Sequence, residues 1–318
     1  MTDLRLVDPQ LLPLVEAFPD FRYDTENLAA TRLRMIEFAK ASPIPNVPVA
    51  LSELVVPGSG GRPDVGVMVY RPLVGEARLP GYLHIHGGGY IAGHPVMSDA
   101  RNRLLAHSLQ CVVISVDYRL APETPQPGPV EDCYAALLWA YHSADELGID
   151  PGRLAIGGES AGGGLAAALA LVVRDRAEVP VLGQMLVYPM LDDRTCVSDD
   201  RREFTGNLVW DRASNYFGWS SYLGMEPGSD NVPAYAAPAR ADSLAGLPFT
   251  FIAVGQLDLF ADENLAYARR LIAEGVLTEL HLYPGAFHGF DMLPGTSSSD
   301  AFLASFVGAL KRLFRCTD

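Results

Sequence analysis

Lysine is nearly missing from this chain: Lys40 and Lys311 stand alone, and arginine supplies the rest of its 24 basic residues. Against 38 acidic residues these leave a formal net charge of -14. A surface so negative repels nucleic acid and anionic membranes at long range, so neither is expected as a partner. A long hydrophobic run is also lacking. A bilayer span needs roughly 20 apolar residues, and the longest run here, residues 165–173, falls far short. Residues 1–15 offer no basic flank leading into an apolar core, so no signal peptide is read there and a cytoplasmic location is expected. Paired cysteines are missing too: Cys111, Cys133, Cys196 and Cys316 form no C-x-x-C spacing, and the first two sit in apolar runs where a free thiol packs as a small hydrophobe. Internal repeats and low-complexity segments are absent.

What is present is a chain of 318 residues, 49% hydrophobic and 19% charged, an ordinary balance for a globular protein with a large core. One large domain with an insertion fits it better than two equal ones. Leu28, Leu33, Met35, Ile36 and Phe38 recur at helical spacing after Phe18, Phe21 and Tyr23, until Pro43, Pro45 and Pro48 break the pattern. Strand-like runs follow at 49–56, 65–70, 82–85, 111–116, 153–156, 185–188, 249–254 and 278–283. Helical patterns occupy 130–147, 165–173, 263–274 and 301–314. Such alternation predicts an α/β protein with a parallel sheet and helices on both faces. Between residues 191 and 247 it stops, and Trp210, Tyr216, Phe217, Trp219 and Tyr222 appear among prolines and glycines. This stretch reads as an insertion, expected to form a lid.

The stretch that organises the chain is Gly158-Glu159-Ser160-Ala161-Gly162, between the strand at 153–156 and the helix at 165–173. A strand turning this sharply into a helix strains its central residue, and only side-chain-free neighbours escape collision, hence the two glycines. The serine is lifted clear of the sheet. It also stands at a helix start, where unpaired amides and the positive dipole end favour a developing negative charge. Without that context, G-x-S-x-G is common by chance.

His86-Gly87-Gly88-Gly89-Tyr90 directly follows another strand, and its glycines let backbone N–H groups approach a substrate oxygen. A serine hydroxyl needs a base, and His288, in a glycine-flanked loop past the last strand, reaches the same sheet edge as Ser160. His107 and His142 lie in helical patterns and read as surface or packing residues. His84 and His86 share one strand face but have no third ligand beside them, so no metal site is expected. The base needs an acceptor in turn. Asp258, just beyond the strand at 249–254, meets that need, with Asp192 and Asp193 as rivals and Asp262 and Glu263 as helix-start residues. The order Ser160, Asp258, His288 is that of the α/β-hydrolase triad, each member following its own strand.

With these motifs the chain resembles the hormone-sensitive-lipase family of α/β-hydrolases, in the bacterial branch marked by His-Gly-Gly-Gly and Gly-Asp-Ser-Ala-Gly-Gly. Asp117-Tyr-Arg-Leu-Ala-Pro-Glu123 and Tyr283-Pro-Gly with His288-Gly-Phe290 extend the match over nearly the whole chain. The resemblance implies an α/β-hydrolase fold with a mostly parallel eight-stranded sheet and a helical cap. It divides the chain into cap helices at 1–45, core at 46–190, cap insertion at 191–247 and core again at 248–318. It makes Ser160 the nucleophile of a carboxylesterase acting on short- to medium-chain acyl esters, with Asp258 and His288 completing the triad. The amides of Gly88, Gly89 and Ala161 become the oxyanion hole. No cofactor is implied, the partner is a small ester, and homodimers are common among members. An amidase or peptidase with the same triad is the nearer alternative; a non-catalytic receptor, which in plants lacks the triad histidine, is the more distant one. Two positions depart from the pattern: Glu159 stands for the usual aspartate and Leu259 for the usual proline. The insertion's aromatics either wall the acyl pocket or pack the insertion onto the core.

Overall fold

The β-branched runs pair into a single sheet of eight strands. The computed structural model describes residues 4–17, 23–58, 61–73, 78–198 and 203–315. Its strands are β1 (Val49–Val56), β2 (Val65–Pro72), β3 (Leu79–Ile85), β4 (Val112–Asp117), β5 (Ile149–Glu159), β6 (Gly183–Val187), β7 (Phe249–Gly255) and β8 (Thr278–Tyr283). They lie in the order β1-β2-β4-β3-β5-β6-β7-β8. The β1–β2 and β2–β4 ladders are antiparallel and the other five are parallel, as the alternation predicts. Phe18, Phe21 and Cys316, singled out in the sequence, lie outside the described residues.

Successive strand residues point to opposite faces, so the sheet divides the interior into two cores. Val67, Val69, Leu83, Ile114 and Ile156 face one side, with α4 (Gly128–His142), α5 (Ala144–Leu147), α6 (Ala161–Arg176) and α8 (Ala261–Ala273). Met68, Tyr70, Tyr82, Val113 and Phe251 face the other, with α1 (Leu12–Ala17), α3 (Asp99–Leu109) and α9 (Ser297–Arg315). Phe302, Phe306 and Leu310 recur every fourth residue along α9 and are all buried, each contributing about 1.5–3 kcal/mol by leaving water. α2 (Leu28–Ala41) and α7 (Arg212–Leu223) complete the described helices.

The structure corrects two expectations. The helix read over 130–147 breaks at Ser143, whose φ of -95° and ψ of 21° leave the helical well, and α5 resumes as one short turn. The strand expected at 153–156 extends back to Ile149, through a Pro151-Gly152 pair that reads as a turn. Within the insertion, Asp211 caps α7 by accepting from Ser214 N–H, and Gly224 ends it at φ 66°. Cys111 and Cys133 are buried free thiols and Cys196 a half-buried one. Among the described residues no helix is long and apolar enough to cross a membrane.

Candidate active site

Ser160 joins β5 to α6 at φ 57° and ψ -121°, a backbone conformation that side chains resist and tertiary contacts must impose. Three hydrogen bonds impose it. Ser160 N–H donates to the Val187 carbonyl at 2.9 Å, and the Ser160 carbonyl accepts from Gly164 at 2.9 Å and Met190 at 3.0 Å. The flanking glycines answer a close approach of β3: a Cβ on Gly158 would stand 2.1 Å from the Ile85 carbonyl oxygen, and one on Gly162 2.0 Å from the same atom. The turn thereby lies against the end of the strand that feeds the Gly87-Gly88-Gly89 loop.

His288 follows β8 and is nearly buried, with Nε2 3.0 Å from Ser160 Oγ and Nδ1 2.8 Å from Asp258 Oδ2. A neutral ring so placed donates from Nδ1 to the carboxylate and accepts the serine proton at Nε2. Asp258 is 1% exposed, and its second oxygen accepts from Phe260 N–H at 2.9 Å, which fixes the carboxylate's orientation. The loops carrying Asp258 and His288 are tied by Leu257 N–H donating to the Ala286 carbonyl at 2.8 Å. The rings of Tyr188 and Phe260 hold the imidazole at centroid distances of 4.6 and 5.3 Å.

The rival acids are engaged elsewhere. Asp192 pairs with Arg194, and Asp193, fully buried, pairs with Arg240. Glu263 accepts from the N–H groups of Leu191 and Asp192 and from the Thr195 hydroxyl, so it anchors the start of the insertion rather than its own helix. His84 uses both ring nitrogens on protein partners, Ser115 Oγ at 2.8 Å and Glu159 Oε2 at 2.9 Å. Burial pushes the His86 imidazole down to about 3, so it is neutral; it faces the Gly87 carbonyl at 2.8 Å and stacks on Tyr118 at 4.3 Å. Among the described residues no three His, Cys, Asp or Glu side chains form a group that could hold a metal ion.

Above Ser160 and His288 opens a cavity of about 380 Å³. Gly88 and Gly89 line it, at φ 125° and 61°, and Ala161 lies beneath as the first residue of α6, where amides have no partner inside the helix. Tyr23 and Met35 reach the cavity from the N-terminal segment, and Val209 and Trp210 from the insertion. Trp210 packs against the glycine loop: a Cβ on Gly89 would meet its ring at 2.2 Å. Trp219 and Tyr222 have the other fate, fully buried and packed on Tyr90 at centroid distances of 5.2 and 4.1 Å.

Glu159, the departure flagged in the sequence, receives Arg101 Nη1 at 2.8 Å as well as His84. Burial alone raises a carboxyl, but here His84 and Arg101 outweigh it and hold Glu159 down at about 2. Because the folded value is depressed, the stabilisation is complete above the ordinary carboxylate value of 4.5 and fades as pH falls toward about 2. The stability gap between the parent and Glu159→Gln should therefore be a few kcal/mol near neutrality and shrink on acidification. Urea titrations stepped from about pH 6 to about pH 3 check this, and a gap that stays constant refutes it.

Sheet order, strained serine turn and three converging side chains together define the class, an α/β-hydrolase. The model of the alpha/beta hydrolase fold family matches residues 82–292. The chain belongs to that family, within the hormone-sensitive-lipase group to which its glycine motifs point. It is 36% identical to carboxylic ester hydrolase LipN of Mycobacterium tuberculosis, over 91% of this chain and 78% of that protein. A solved bacterial heroin esterase superposes with a TM-score of 0.92 at 39% identity, covering 98% of this chain and 99% of that one. Arylacetamide deacetylase of Bos taurus is 31% identical over 71% of this chain and 72% of its own length.

Proposed function

We propose that this carboxylic ester hydrolase turns over short- to medium-chain acyl esters through a covalent acyl-enzyme. Ser160 Oγ attacks the ester carbonyl while His288 Nε2 takes its proton, and Asp258 stabilises the imidazolium that forms. The amides of Gly88, Gly89 and Ala161 receive the negative charge that develops on the carbonyl oxygen. His288 then gives its proton to the departing alkoxide, and a water activated by the same ring releases the acid. The observation that carries this reading is the unbroken relay from Ser160 Oγ through His288 to Asp258, with steps of 3.0 and 2.8 Å. With His288 in bonding distance of the serine, nothing favours the receptor reading.

Two features support the substrate range. A cavity of about 380 Å³ sits at the small end of ligand sites. Its upper walls come from the N-terminal segment and the insertion, which we read as one cap. The amidase reading retains one observation in its favour, the similarity to arylacetamide deacetylase. A matched ester and anilide of the same short acid decide between them: ester turnover is expected to dominate, and equal or faster anilide cleavage overturns the reading.

Trp210 and Trp219 divide the two roles the sequence leaves open. Trp210→Ala should move the acyl-length optimum to longer or bulkier esters, each newly enclosed methylene contributing about 0.8 kcal/mol. Trp219→Ala should leave the optimum in place and cost about 3–5 kcal/mol of stability, as large-to-small changes in a packed core do. An acyl-length series and a denaturant midpoint for each variant check the assignment, and an unmoved optimum in Trp210→Ala refutes it.

A further inference from the structure

Along the wall of the cavity beside Ser160 and His288, side chains with no role in the proposed reaction join the segment carrying the serine to the segment carrying the histidine. Arg101, on α3, donates from Nη1 to Glu159 Oε1 at 2.8 Å and from Nη2 to Asp291 Oδ2. Glu159 immediately precedes Ser160, and Asp291 follows His288 by three positions. The free oxygen of each carboxylate is also engaged. Asp291 Oδ1 accepts from the Tyr188 hydroxyl at 2.6 Å, and the Tyr188 ring is the one that lies 4.6 Å from His288. Glu159 Oε2 faces His84 Nε2 at 2.9 Å, anchoring the group to β3. The Arg101 guanidinium sits over the Phe302 ring at 5.4 Å, which holds its plane. The Glu159 and Asp291 side chains are only 11% and 4% exposed.

We infer that Arg101 is a positioning residue for the hydrolysis: by gripping Glu159 and Asp291 together it sets the separation between Ser160 Oγ and His288 Nε2. The inference rests on the serine and histidine roles proposed above. Its physical basis is the backbone's own division of labour. The serine turn is bonded to β6 through Val187, whereas the base loop is bonded to the acid loop through Ala286. A side chain that spans the two fixes a distance neither set of bonds addresses. Arginine suits this task because its planar fork presents two N–H arms in rigid geometry, one for each carboxylate. Glutamate at position 159 suits it too, since it extends far enough to meet both Arg101 and His84. Proton transfer depends steeply on that separation, and a misplacement of about 1 Å costs about a hundredfold in rate.

A purely structural network would affect stability alone, so the test separates stability from turnover in the full-length protein. Arg101→Met takes the guanidinium from two nearly buried carboxylates, leaving Glu159 with His84 alone and Asp291 with the Tyr188 hydroxyl alone, and is expected to destabilise for that reason. The triple variant Arg101→Met, Glu159→Gln, Asp291→Asn removes the stranded charges with the clamp. It should regain most of the lost denaturant midpoint, yet keep kcat for a short acyl ester about a hundredfold below the parent with KM within about threefold. Arg101→Lys, which keeps the charge but not the fork, should remain folded and lose about tenfold in kcat. A kcat within about twofold of the parent in either the triple or the Lys variant, or a loss carried wholly by KM, overturns the inference. Labelling the parent with a serine-directed organophosphorus reagent tests the underlying reading separately. A label away from Ser160 defeats that reading, whereas a label on Ser160 alongside a fully active triple variant defeats only the role of Arg101.

Discussion

Ser160→Ala is expected to fold as the parent does and to lose ester turnover by about four to six orders of magnitude. The size of the loss follows from removing the atom that forms the covalent bond: without Oγ, His288 has nothing to activate except water, held in the wrong place. The unchanged fold follows from the bonds that shape the turn. All three involve the Ser160 backbone, and alanine keeps the Cβ. Initial rates on a short acyl ester and a denaturant midpoint measured on the same preparation check both halves. Residual turnover above about one per cent of the parent sinks the nucleophile assignment, because no other group in a serine mechanism replaces the missing bond.

Gly162→Ala should do the opposite and damage fold and activity together. The added methyl would lie 2.0 Å from the Ile85 carbonyl oxygen and 2.5 Å from that of His86, and both are backbone atoms that cannot swing aside. Relief requires the start of α6 to move away from β3, which separates the serine from the glycine loop proposed to form the oxyanion hole. A stability loss of about 3–5 kcal/mol and a fall in kcat of at least about a hundredfold are expected. Gly308→Ala provides the control, since its nearest neighbour would be Arg312 Nη1 at 3.5 Å, the mobile end of a side chain, within α9. That change should stabilise by about 0.5–1 kcal/mol through helix propensity alone. Equal tolerance of both substitutions refutes the packing account of the turn.

The parts of the molecule legible in the sequence are those where one local rule dominates. The strand read at 49–56 and the one read at 278–283 match β1 and β8 because turn-forming residues bound them sharply. That Ser160, Asp258 and His288 converge was legible because each follows its own strand, and parallel strands deliver such residues to one edge. What stayed hidden depends on contacts between distant segments. Arg101 looks like any solvated arginine on a helix, and nothing local announces that Glu159 and Asp291 converge on it. Trp210 and Trp219 are equivalent in composition and context; their fates diverge only because α7 packs Trp219 against Tyr90 while the stretch before it lies on Gly89. The start of β5 at Ile149 stayed hidden for a related reason, since it is the pairing of Leu79 with Ile149 that carries the strand across Pro151 and Gly152.

The strained serine has a further consequence, for the chain during its own synthesis. Its positive φ is not a local preference; it is held by hydrogen bonds to Val187 at the end of β6, to Met190 beyond it and to Gly164 in α6. His288, the proposed base, lies 128 residues further along the chain, on a loop placed by its contact with Asp258. A nascent or half-folded molecule therefore displays an ordinary serine with the reactivity of any other hydroxyl. On the proposed roles, the catalytic geometry therefore depends on the finished fold rather than on any one local segment.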